Sequence, residues 1–148
     1  MKEIKIRKIS YSPGYGDMLG GCHNVSLEKD SEGRWTYVCR DREDHSAPTV
    51  VSYYAVTEEA VARFTEFIRK NRVISLEKRL KSGMFATDYS PWSWKIDYEM
   101  TSFGKTGRKY CSIGEYKIYS RRDRDLLNKL REEFYALRGE KISEKTEE

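Results

Sequence analysis

The chain is short of the residues that most often announce a chemistry: it has three cysteines and two histidines among 148 residues. Cys22, Cys39 and Cys111 form no CxxC and cannot all pair within the chain, which argues against a disulfide framework and favours free thiols in a reducing, cytoplasmic compartment. No apolar run approaches the roughly 18 residues of a spanning helix. The opening "MKEIKIRKISYS" carries basic residues but no apolar core, so neither a secretion signal nor a membrane anchor is read. An excess of one charge is also lacking. Twenty-eight basic residues are interspersed with 24 acidic ones for a net charge of +4, which permits an acidic partner without demanding one.

What the chain does have is aromatic surface: eleven Tyr, five Phe and three Trp. That is enough to build one core in a chain of this length without help from metal or disulfide. The reading is a single domain over 1–139, followed by a polar tail, 140–148, that lacks packing residues and is expected to fray.

Hydrophobic periodicity sets the elements. In "EIKIRKISY" (3–11) the apolar residues alternate as Ile4 and Ile6, then as Ile9 and Tyr11, a change of parity that a bulge would explain. "HNVSLEKDSEGRWTYVCR" reads as a hairpin, with Gly33 suited to positive φ in its turn. "TVVSYYAV" (49–56) is another strand. From Thr57, a cap, the period becomes helical to Asn71, with Val61, Phe64 and Ile68 on one face. Residues 72–83 fit either a short helix or an extended connection.

"WSWKIDYEM" (92–100) alternates cleanly, placing Trp92, Trp94, Ile96, Tyr98 and Met100 inward and Lys95, Asp97 and Glu99 toward solvent. Two shorter strands follow in "RKYCSIG" and "EYKIYS". A last helix, 121–138, is capped by Ser120 or Asp123 and closed by Gly139. Strands, helix, strands, helix, without regular alternation, define an α+β fold: a mainly antiparallel sheet of about six strands with two amphipathic helices packed on one face.

The segment "SPGYGDMLGGCHN" (12–24) is the first candidate site. Glycine-rich loops can present backbone N–H groups to a phosphate. This one lacks the Gly-Lys-Ser/Thr ending of a P-loop and runs into a strand, so a wide turn between strands explains its glycines better. Cys22, His23, Cys39 and His45 have the chemistry of zinc ligands but poor spacing, so no metal or cofactor is assigned. Catalytic sets are equally thin. Asp17, His23 and Asp88 could serve an enzyme only if folding brought them into one cleft.

Basic residues gather around 69–81 and 105–124. A nucleic-acid surface through Lys109, Arg121 and Arg122 is the weaker reading, because acidic residues interrupt both runs and a solvated face explains them. "MFATDYSPWSW" (84–94) offers Met84, Phe85 and Tyr89 as interface aromatics and apolars once Trp92 and Trp94 are given to the core.

The glycine segment, with Gly14, Gly16, Met18, Gly20, Gly21 and His23, together with Asp88 before an aromatic strand, resembles a family of small uncharacterised bacterial α+β proteins. The resemblance implies the fold and supplies no activity. The function expected is a non-enzymatic binding or regulatory module for another protein, with a site drawn from Gly16, Asp17, Gly20, Gly21, His23, Met84, Phe85, Asp88 and Tyr89. A small-ligand or phosphate site using the glycine segment, or weak nucleic-acid binding, are the alternatives.

Overall fold

The change of parity between Ile6 and Ile9 is resolved by a bulge. In the computed structural model the first strand, β1 (Lys2–Ser12), slips register against its neighbour between Ile6 and Lys8. Ile6, Ile9 and Tyr11 therefore all reach one buried cluster, and Ile4 packs against it.

The structure describes residues 2–12, 21–42, 47–77, 81–82, 92–114, 117–118 and 120–147. After β1 come β2 (Gly21–Lys29), β3 (Trp35–Arg42), β4 (Thr49–Ala55) and α1 (Glu58–Lys70). A 3-10 turn (Val73–Glu77) and a two-residue strand, β5 (Lys81–Ser82), follow. The second half contains β6 (Ser93–Ser102), β7 (Lys105–Gly114), β8 (Lys117–Ile118), α2 (Arg121–Tyr135) and β9 (Lys141–Glu147). Seven strands form one antiparallel sheet in the order β7-β6-β1-β2-β3-β4-β9, while β5 and β8 pair separately. The fold is α+β.

Local chemistry fixes the turns and helix starts. Gly33 takes φ 81° in the β2–β3 turn, as its place in the sequence implies, and Asp30 Oδ1 accepts from the N–H groups of Glu32 and Arg34 at 2.9 Å each. Thr57 caps α1, its hydroxyl accepting from the Ala60 N–H at 3.1 Å, and Ser120 does the same for α2 through the Asp123 N–H. The uncertain stretch after α1 tightens into the 3-10 turn, which buries Val73 and Leu76.

Phe134 of α2 sits at the centre of the core. Its ring lies 5.2 Å from Trp94 of β6, 5.6 Å from Tyr37 of β3 and 5.7 Å from Phe64 of α1, centroid to centroid. One cluster thus joins the sheet to both helices. Ser26, Thr36, Val38 and Val51 are also buried, yet stand outside that cluster.

Two expectations need correction. The sheet has seven strands rather than about six, and the seventh comes from the segment expected to fray: Lys141–Glu147 pairs antiparallel with β4. All seven of its side chains are exposed, so backbone hydrogen bonding to an edge holds it and no apolar pattern is needed. Gly139 permits this approach: its N–H donates to the Ala55 carbonyl at 2.9 Å, and a Cβ there would lie 2.4 Å from that oxygen. The other correction concerns Asp97. Parity points it away from the core, but it is 9% exposed rather than solvated, because Arg108 covers it.

Candidate functional site

Of the nine residues proposed from sequence, Gly21 and His23 lie in β2, and Gly16, Asp17, Gly20, Met84, Phe85, Asp88 and Tyr89 lie outside the described residues. Gly21 is registered with Arg42, and the β2–β3 pairing slips between Cys22 and Asn24, making His23 the extra residue of a bulge. The convergence of Asp17, His23 and Asp88 also falls outside the described residues. His45 does too.

The strand register nevertheless locates where both candidate segments join the sheet. Ser12, after which residues 13–20 begin, is paired with Ser93, and Trp92 immediately precedes that pair. Gly21, where the chain re-enters the sheet, is at the same end. Here the core stops and a small pocket opens. Tyr11 and Trp94 are strand partners on the core side, stacked at 4.2 Å. With Trp92 they form the aromatic wall of a pocket of about 170 Å³.

The opposite wall belongs to α2. Arg124, Asn128 and Arg131 recur at helical spacing on one stripe and line the pocket above Leu127. Leu127 is buried, whereas the three polar residues are exposed. Among the described residues neither arginine has a carboxylate partner. Two exposed arginines thus line a pocket whose other wall is aromatic. Such a pair can grip a carboxylate or phosphate while the rings hold an apolar body.

A second feature lies at the same end, on β3. The Cys39 thiol donates to Asp41 Oδ2 at 3.5 Å, and Asp41 Oδ1 is buried without a hydrogen-bond partner among the described residues. Asp41 is registered with Cys22. Cys39 and Cys111 are both buried, and the Cys111 thiol donates to the Ile74 carbonyl. Among the described residues no group of His, Cys, Asp and Glu is placed to hold a metal ion.

The basic run from 105 to 124 separates in space. Lys105, Arg108 and Lys109 lie on β7, whereas Arg122 lies across a groove from Lys70 and Arg72, with Asp123 between the helix ends. On the face of the sheet away from the core, a groove of about 420 Å³ follows the β1 bulge. Five cations, Lys5, Arg7, Lys8, Lys29 and Arg108, line it against two carboxylates, Glu28 and Asp97. Arg7 pairs with Glu99 and Lys8 with Glu28. Arg108 holds the Asp97 carboxyl below the usual carboxylate range through its side-chain hydrogen bonds, against the opposing effect of burial.

Sequence reasoning missed both the pocket and the groove. The helical spacing of Arg124, Asn128 and Arg131 is a signal that could have found one wall, but which strand residues oppose it depends on β1–β6 register. Among the described residues no helix is long and apolar enough to cross a membrane. No family model, curated protein or solved structure matches this chain.

Proposed function

We propose that the chain is a binding module that takes hold of another protein through the Tyr11, Trp92, Trp94, Arg124, Asn128 and Arg131 pocket. The observation that carries this reading is the pair of arginines, without carboxylate partners among the described residues, set against an aromatic wall. Size decides between classes of ligand. About 170 Å³ is below the roughly 300–1,000 Å³ of pockets that enclose a free cofactor or drug-sized molecule. It suits one anchoring side chain of a larger partner. The polar groups point the same way, since guanidinium and amide groups bind and orient charge but do not exchange protons near neutral pH. The preferred anchor is an acidic residue beside a large apolar one.

Panning a displayed peptide library against the protein tests this. Wild type should enrich peptides with Asp or Glu next to an aromatic or aliphatic residue, and Arg124→Ala with Arg131→Ala should bind them at least tenfold more weakly, as expected for loss of charged hydrogen bonds. Unchanged thermal unfolding would show that the variant remains folded. Enrichment indifferent to both arginines would sink the reading. So would stabilisation by free phosphate or nucleotide that disappears in the double variant, since that would make the pocket a small-anion site.

A further inference from the structure

Lys70, Arg72 and Arg122 are exposed cations from the facing ends of α1 and α2, and all three line one groove of about 490 Å³. Asn71, Asp123 and Leu126 complete its lining. Asn71 is committed to α1, its Nδ2 donating to the Phe67 carbonyl at 2.9 Å. The cations are not committed. Among the described residues none of the three has a carboxylate partner, whereas neighbouring Arg69 is paired with Glu66. Three cations against one buried carboxylate, Asp123, leave a net charge of +2 around the groove. Like charges gathered in this way repel one another unless an anion lies among them.

The elements themselves do not account for two of these residues. α1 ends at its cap Asn71, and the next residue, Arg72, takes φ 53°. Gly, or sometimes Asn, is the usual choice for that left-handed position. Ser75 holds the turn, donating to the Arg72 carbonyl from its N–H at 3.0 Å and its hydroxyl at 2.7 Å. At the start of α2 the departure is one of charge. A helix dipole favours acidic residues in the first turn, yet Arg121, Arg122 and Arg124 stand there beside Asp123. Local rules are broken in this way where a site requires it.

We propose that this groove binds a small phosphorylated molecule, with Lys70, Arg72 and Arg122 on the phosphoryl oxygens and the rest of the ligand against Leu126. A phosphoryl group carries about −1.5 to −2 charges at neutral pH and offers three acceptor oxygens, which matches both the charge of the groove and its three donor side chains. The volume also falls within the roughly 300–1,000 Å³ of sites that take up free ligands. This groove is separate from the aromatic pocket: at roughly 100° per residue, Arg122 and Arg124 stand on nearly opposite sides of α2.

Titration calorimetry at low salt with pyrophosphate and ADP provides the test. Wild type should bind both saturably. Arg72→Gly and Arg122→Gln should each bind about 10- to 100-fold more weakly, the range expected for one lost charged contact. Both variants should unfold at the same or a higher temperature, because Gly accepts the left-handed backbone and Gln removes a cation from a helix start. That opposition separates a ligand role from a structural one. Arg69→Gln, which alters charge beside the groove but not within it, should bind as wild type. The proposal fails if neither ligand binds, if both groove variants keep full affinity, or if Arg69→Gln weakens binding as much as they do. Capture of a phosphopeptide without binding of ADP or pyrophosphate would overturn it too, since the groove would then read a protein segment.

Discussion

Arg108 holds Asp97 with two hydrogen bonds, Nε to Oδ1 at 3.0 Å and Nη2 to Oδ2 at 2.6 Å. The two residues are diagonal neighbours across β6 and β7, with Asp97 registered opposite Tyr110 and Arg108 opposite Glu99. Both oxygens of a largely buried carboxylate are thereby satisfied by one planar fork.

This pair gives stability a definite pH dependence. The folded carboxyl of Asp97 lies below its ordinary value, so its contribution is full above about pH 3.9 and is lost as acid titrates it in the folded state. Arg108→Ala should therefore lower the urea midpoint at neutral pH, and the gap from wild type should close as the pH falls below that value. A gap independent of pH would show that the ion pair contributes nothing.

The core should be most sensitive at Phe134, which touches β3, β6 and α1 at once. Phe134→Ala should cost about 3–5 kcal/mol, a large part of the roughly 5–15 kcal/mol that holds such a domain together. Urea unfolding followed by tryptophan fluorescence measures this directly.

Gly139 should tolerate no side chain. The Cβ of Gly139→Ala would meet the Ala55 carbonyl oxygen at 2.4 Å, and either β9 or the end of β4 must shift. A loss of about 1–3 kcal/mol is expected for overpacking of this kind. Faster amide exchange confined to the paired residues of β4 and β9, with β1 and β6 unchanged, would locate the damage.

Thr57→Ala removes the side-chain cap of α1 and should cost about 1 kcal/mol, whereas Thr57→Ser should cost much less because it keeps the accepting hydroxyl. Thermal unfolding of the two variants side by side provides the comparison.

Much of the fold was legible where side chains carried a burial pattern. The parity change at Ile6 and Ile9, the cap Thr57, the turn glycine Gly33 and the inward Trp94, Ile96 and Tyr98 could all be read directly, and Ser120 was one of two candidate caps for α2. β9 could not, because "KISEKTE" has no buried side chain to create alternation. Asp97 was misread for a related reason. Period two tells which side of a strand a residue takes, but not that a guanidinium from the next strand will cover it. For the candidate site, Trp92 was assigned to the core, and the helical spacing of Arg124, Asn128 and Arg131 is present in the sequence but was not read as a site. Their meeting depends on Tyr11 pairing with Trp94, a long-range register that no local pattern encodes.

The first strand is hydrogen-bonded on both edges in the middle of the sheet, and one of its partners is β6, so that Ile9 stands beside Ile96. The central seam of the molecule thus joins stretches far apart along the chain. Loops must close before such a seam rewards their closure, which places folding among the slow, roughly millisecond-to-second topologies. Until β6 arrives, β1 carries an unfilled edge lined by Ile6, Ile9 and Tyr11. During refolding this edge is where another copy could dock, so yield should fall with concentration at that stage rather than after the sheet is complete.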